Sequence, residues 1–182
     1  MIKIGIDIGS TTVKVAAVGD TGEVLFTRYG RHNANAREVV VRMLGELQAA
    51  CGPADACVRL TGSVGMGFAE KCSLPFVQEV VAATKAVQQY HPESVSLIDI
   101  GGEDAKVVFF RDGRASDLRM NGNCAGGTGA FIDQMAVLLD VGVDELGRLA
   151  MQAERTYPIA SRCGVFCKTD IQNLIAKNVS KA

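Results

Sequence analysis

Two stretches decide the fold: Asp7-Ile8-Gly9-Ser10-Thr11-Thr12-Val13-Lys14-Val15 and Asp99-Ile100-Gly101-Gly102-Glu103-Asp104-Ala105-Lys106-Val107. They match at Asp, Ile, Gly, Lys and Val with a constant offset, so the chain is written twice. An apolar run precedes each copy (Ile2 to Ile6; Val95 to Ile98), and a second follows it (Val13 to Val18; Ala105 to Phe110). Each copy then reaches a turn (Gly19-Asp20-Thr21-Gly22; Arg111-Asp112-Gly113) and a third extended segment (Glu23 to Tyr29; Arg114 to Met120). Both halves therefore open with a three-strand meander.

Further out, Val39, Val40, Met43, Leu44 and Leu47 predict a helix from about Ala36 to Ala50, and Ala56 to Leu60 reads as a strand. Val80, Ala83, Thr84 and Val87 predict a second helix that stops before His91-Pro92, and Pro92-Glu93 reads as a hinge. In the second half Phe131, Ile132, Met135, Leu138 and Leu139 form an apolar stripe on a helix that opens after Gly126-Gly127-Thr128-Gly129. Further helices are expected from about Asp144 to Ala153 and from Gly164 to the end. The expectation is an α/β chain of two subdomains, 1–92 and 93–182.

The 182 residues are 48% hydrophobic, enough for such a pair of small units, which argues against disorder. Lys+Arg (19) and Asp+Glu (20) nearly balance, and no basic run tracks a phosphate backbone, which argues against nucleic acid. Apolar stretches are broken well before the roughly 20 residues needed to cross a bilayer. The start, Met1 to Asp7, reads as a strand rather than a signal peptide, so a cytoplasmic protein without a membrane partner is expected. In that compartment the six cysteines stay reduced, which leaves a metal, a cluster or burial to explain them.

The loops bear on chemistry. A Rossmann or Walker loop runs from a strand into a helix. Here Asp-Ile-Gly feeds a second strand, and the hairpin turn offers backbone N–H groups and hydroxyls to phosphate oxygens, with Gly9, Ser10, Thr11 and Thr12 in one copy and Gly101 and Gly102 in the other. Asp7 and Asp99 end the first strands, where carboxylates suit the waters of a magnesium ion. A single Asp-x-Gly turn is a common structural hairpin; two in register point to a clamp on one ATP. Glu103 and Asp104 stand where the first loop has Thr11 and Thr12, either positioning water at the γ-phosphate or lying as solvated turn carboxylates. Lys14 and Lys106 read as solvated strand residues. Gly126, Gly127 and Thr128 read either as a phosphate approach or as entry into the helix. Thr61 to Gly65 reads as a flexible loop at a strand end, either cleft lining or a plain turn.

The paired loops resemble the acetate and sugar kinase, heat-shock chaperone and actin superfamily, the actin-like ATPase or ribonuclease H-like duplicated fold. More narrowly, Asn121-Gly122-Asn123-Cys124-Ala125-Gly126-Gly127-Thr128-Gly129 and Ile159-Ala160-Ser161-Arg162-Cys163-Gly164-Val165-Phe166 resemble the activator ATPases of 2-hydroxyacyl-CoA dehydratases and benzoyl-CoA reductases. The resemblance spans essentially the whole chain. It implies a homodimer with one [4Fe-4S] cluster between subunits, ATP in each, and hydrolysis coupled to low-potential electron delivery. The implied partners are an acyl-CoA dehydratase or reductase component, and reduced ferredoxin or flavodoxin as electron source.

The cysteines agree with that reading. Cys124 and Cys163 each stand just before an expected helix, whose N-terminus favours a thiolate. A cubane takes four thiolates, so two per chain call for a twofold-related copy. Cys167 departs from the small residue expected there; a buried thiol is favoured over a third ligand. Cys51, Cys57 and Cys72 read as core thiols, and a zinc site from Cys124, Cys163 and Cys167 lacks a fourth ligand because His32 and His91 lie in the other half. Because no late glycine-rich adenosine segment follows Cys163, the chain reads as the N-terminal portion of a longer activator, with weak nucleotide binding expected. The competing readings are a small-molecule kinase on the same fold and a non-catalytic assembly module.

Overall fold

In the computed structural model, which describes residues 1–182 except 122, 123 and 125, alternation along the first strand sets the core. In β1 (Ile2–Ile8), Ile4, Ile6 and Ile8 point to one buried face. Val13, Val15 and Ala17 of β2 (Thr12–Val18) continue that face, and β3 (Val24–Arg31) adds Phe26. The helix α1 (Ala36–Cys51) returns across it with Val40, Met43 and Leu47. The chain then re-enters the sheet as β4 (Ala56–Thr61), and α2 (Gly65–Cys72) contributes Ala69 before α3 (Glu79–Tyr90). Strand order is β3-β2-β1-β4, with β1 antiparallel to β2 and parallel to β4. The parallel pair needs a long crossover, which α1 supplies.

The second sheet has the order β5-β6-β7, from β5 (Ser96–Ile100), β6 (Ala105–Arg111) and β7 (Arg114–Asn121), with β5 antiparallel to β6. Three helices follow: α4 (Gly129–Leu138), α5 (Val143–Met151) and α6 (Gly164–Ala176). The chain divides into one compact unit of residues 1–95 with 110–115 and another of 96–109 with 116–182. No helix among the described residues is long and apolar enough to cross a membrane.

Both expected meanders form, and every expected helix appears near its reading, except that α6 ends at Ala176 rather than running to the end. The helix that the sequence hides is α2. It is only eight residues long and carries Gly65 and Gly67, so neither length nor propensity marks it. Two side-chain expectations are corrected. Lys106 is not a solvated strand residue: only 6% of it is exposed and it pairs with Asp104. Cys72 is not a core thiol, because it sits at the exposed end of α2, while Cys51 and Cys57 are half-buried.

Candidate functional site

The first loop is a tight reversal between β1 and β2, closed by Gly9 N–H donating to the Thr12 carbonyl at 2.9 Å. Asp7 lies opposite Lys14 in the antiparallel register, and its Oδ2 meets Lys14 Nζ at 2.9 Å. On its other side Asp7 lies opposite Thr61 of β4. Asp7 Oδ1 and Thr61 Oγ1 are both buried with no hydrogen-bond partner among the described residues. Orphaned oxygens of this kind cost free energy until a ligand, ion or water meets them, and an oxygen set suits a hydrated magnesium ion. Ser10 and Thr11 are half-buried on the turn and Thr12 is buried.

The second loop repeats the turn, with Gly101 N–H donating to the Asp104 carbonyl at 2.9 Å. Asp99 is half-buried and lies opposite Lys106 in register, as Asp7 lies opposite Lys14. The cation, however, turns to Asp104 at 2.9 Å instead. Glu103 is exposed at the tip. Helix α4 docks directly on this loop: Gly129 N–H donates to the Gly101 carbonyl at 2.8 Å and Ala130 N–H to that of Gly102 at 3.0 Å. First-turn helix donors have no partner within their own helix, so the loop satisfies them. Thr128, completely buried, caps α4 by accepting from Phe131 N–H at 3.4 Å.

Five residues before α4 stands Cys124, which is exposed, and Cys163 is the residue capping the N-terminus of α6. Both line one cavity of about 580 Å³, together with Gly127 and Cys167. Two glycines bring the cysteine loops together: a Cβ on Gly164 would lie 3.3 Å from Gly126 Cα, and one on Gly126 would lie 3.2 Å from Gly164 N. Gly126 N–H donates to Cys124 Sγ at 3.3 Å, which favours a sulfur carrying negative charge. Asn121 holds the loop by donating to the Gly126 carbonyl at 2.9 Å, and Asp170 of α6 accepts from Ala160 N–H at 2.9 Å ahead of Cys163. Burial, helped by the Asp170 carboxylate, pushes the Cys167 thiol up and keeps it neutral. Among the described residues no group of three or more His, Cys, Asp or Glu side chains gathers closely enough to hold a metal ion. Two thiols on one cavity fit half of a cluster's ligand set.

Two hairpin loops built around Asp-Ile-Gly, each closing a strand pair of an α/β half, define an actin-like ATPase fold, here carrying a cysteine-lined cavity behind the second loop. The chain belongs to the BadF/BadG/BcrA/BcrD ATPase family, whose profile matches residues 4–182. It is 31% identical over 182 residues to the 2-hydroxyisocaproyl-CoA dehydratase activator of Clostridioides difficile, covering 98% of this chain and 67% of that protein. The crystal structure of (R)-2-hydroxyglutaryl-CoA dehydratase component A from Acidaminococcus fermentans superposes with a TM-score of 0.89 at 27% identity, over 100% of this chain and 70% of the other. The Clostridium difficile 2-hydroxyisocaproyl-CoA dehydratase activator with bound ADPNP superposes with a TM-score of 0.85 at 30% identity, over 99% of this chain and 68% of that one.

Two residues around these sites carry no sequence signal of their own role, His32 at the first loop and Asp170 at the cysteine cavity, whereas Thr61 and Asn121 lie inside stretches that can be read. Strand pairing reveals that Thr61 faces Asp7, and Asn121 meets the Gly126 carbonyl across its own loop. His32 and Asp170 act across turns whose closure no local pattern encodes.

Proposed function

We propose that this chain couples ATP binding and hydrolysis to low-potential electron delivery from a [4Fe-4S] cluster to a 2-hydroxyacyl-CoA dehydratase-type enzyme. The observation that carries the reading is the pair of hydrogen bonds from Gly129 and Ala130 to the carbonyls of Gly101 and Gly102. Through them a phosphate loop and the helix following Cys124 move as one piece, so a change in the phosphates is felt at the cysteine loop.

In this reading Gly9, Ser10, Thr11 and Thr12 hold phosphate oxygens, and Asp7 and Asp99 hold the waters of Mg²⁺. Glu103, exposed and unburdened by the Lys106 pair that engages Asp104, orients the attacking water. Gly126, Gly127 and Thr128 form the phosphate approach on the side of the second loop and connect it to Cys124, with Thr128 also capping α4. Cys124 and Cys163 supply two thiolates, and a second copy of the chain supplies two more across a twofold axis. The cluster, when bound, supplies a one-electron carrier whose negative charge the N-terminus of α6 favours. Val165 and Phe166, 72% and 67% exposed beside Cys163, give that homodimer contact an apolar surface. Reduced ferredoxin or flavodoxin supplies the electron, and the acyl-CoA dehydratase or reductase component accepts it. A small-molecule kinase leaves the meeting of Cys124 and Cys163 on one cavity without a purpose.

Anaerobic reconstitution with iron and sulfide, read by iron analysis, visible absorbance and oligomeric mass, tests the proposal. The expected result is one cubane per dimer, abolished by Cys124→Ser or Cys163→Ser. A full-strength cluster in Cys124→Ser would overturn the ligand assignment.

A further inference from the structure

We infer that His32 is a positioning residue of the first phosphate loop, one that aims the Ser10 backbone N–H at the nucleotide. The side chain is only 8% exposed and sits where β3 turns toward α1. Its Nε2 lies 3.1 Å from the Gly9 carbonyl, and its backbone N–H donates to the Thr11 carbonyl at 3.1 Å. A carbonyl only accepts, so Nε2 carries a ring proton and donates it, while Nδ1 is buried with no hydrogen-bond partner among the described residues. His32 thus grips two carbonyls of one four-residue turn, those of Gly9 and Thr11.

Peptide planarity turns that grip into a function. The Gly9 carbonyl and the Ser10 N–H belong to one trans peptide and point in opposite directions. Holding the carbonyl toward His32 therefore sends the Ser10 N–H to the far side of the loop, where a phosphate oxygen approaches in the proposed function. The turn that carries the ring is itself tightly determined. Asn33 and Ala34 are consecutive left-handed residues at φ 46° and 67°, and Asn35 N–H closes on the His32 carbonyl at 2.6 Å. Side chains seldom accept two such residues in succession unless the surroundings require them. Without the imidazole the Gly9 peptide is free to rotate, and the loop loses one fixed donor.

This inference rests on the reading of the first loop as a phosphate site, and the test separates the two. The dissociation constants of MgATP and of magnesium tripolyphosphate are measured for the wild-type chain and for His32→Gln, His32→Asn and His32→Leu. Gln places an amide nitrogen near Nε2, whereas Asn places one near Nδ1 and falls short of Gly9. The expected result is Gln within about twofold of wild type, and Asn and Leu roughly five- to tenfold weaker for both ligands, the loss of about one hydrogen bond. Amide exchange at Gly9 in the nucleotide-free chain should quicken several-fold in Leu and Asn only. Wild-type binding with Leu unchanged overturns the role of His32 and leaves the phosphate site standing. Equal losses in Gln, Asn and Leu reduce His32 to packing and overturn it too. A wild-type chain that binds neither ligand sinks the phosphate reading and this inference with it.

Discussion

Gly62 and Gly22 form a matched pair that isolates what the β4 loop does for Asp7. Both are left-handed, at φ +92° and +91°, but Gly22 looks into open space. At Gly62 a Cβ would collide with Asp7 Oδ1 and the Ile8 carbonyl oxygen and lie 2.5 Å from the Ile8 carbonyl carbon. Alanine at either position takes the left-handed penalty of about 1–2 kcal/mol. Only Gly62→Ala must also push β1 away, and overpacking of this kind costs typically about 1–3 kcal/mol more. Gly22→Ala should therefore cost about 1–2 kcal/mol and Gly62→Ala about 2–5 kcal/mol. Urea unfolding followed by circular dichroism measures both within the same unit. With a slope of about 1–3 kcal/mol per molar, the two midpoints should separate by on the order of 1 M. If the two variants fall within about 0.5 kcal/mol of each other, the scatter expected of an ordinary surface change, the tight approach of Gly62 to β1 is refuted.

Other outcomes follow from the same geometry. Gly164→Ala brings a Cβ to 3.2 Å from the Phe131 ring and 3.3 Å from Gly126 Cα, so it should part the cysteine loops and lower reconstituted iron content well below wild type, at a stability cost of about 1–3 kcal/mol; unchanged iron would count against that contact. Glu46, held below the usual carboxylate range first by its hydrogen bond from Arg28, ties β3 to α1. A lowered folded pKa adds stability above the unfolded glutamate range and loses it as pH falls through the lowered value, so Glu46→Gln should flatten the acid limb of an unfolding curve; an unaltered limb rejects the linkage. Hydrogen exchange should be slowest at Ile8, Val13 and Val15, each essentially unexposed, and fastest along β7, whose residues are all exposed.

The repeated motif made the fold legible because each copy carries its own strand, turn and strand in continuous sequence. Cys124 and Cys163 were legible as a pair through their motifs, although far apart in the chain. Much of the remaining site depends on register across strands or on backbone contacts. Thr61 matters because β4 runs parallel to β1 and so faces Asp7. The Gly126 and Gly164 contact joins segments that no local period connects. Lys106 was misread because its sequence neighbours look like those of Lys14. The difference lies at the turn, where the first loop has Thr12 and the second has Asp104 to take the cation.

Under the proposed function, that divergence lets one repeated sequence serve two tasks. In the first half Ile6 and Ile8 are 4% and 0% exposed, because α1 and α2 cover the β1 face and β4 flanks its edge. Their counterparts Ile98 and Ile100 are 66% and 52% exposed, and β5 is paired only with β6 among the described residues. The first loop therefore rests on a rigid core and keeps Lys14 on Asp7, which suits a fixed phosphate support. The second loop stands on a lightly buried strand, draws its lysine to Asp104 and lends its carbonyls to α4. Displacing a lightly buried strand breaks fewer apolar contacts than displacing a core strand, so motion should concentrate at β5 and the second loop, with α4 carried along by its hydrogen bonds to Gly101 and Gly102. A device that passes a change at the phosphates on to Cys124 needs this asymmetry: one hairpin that stays and one that yields.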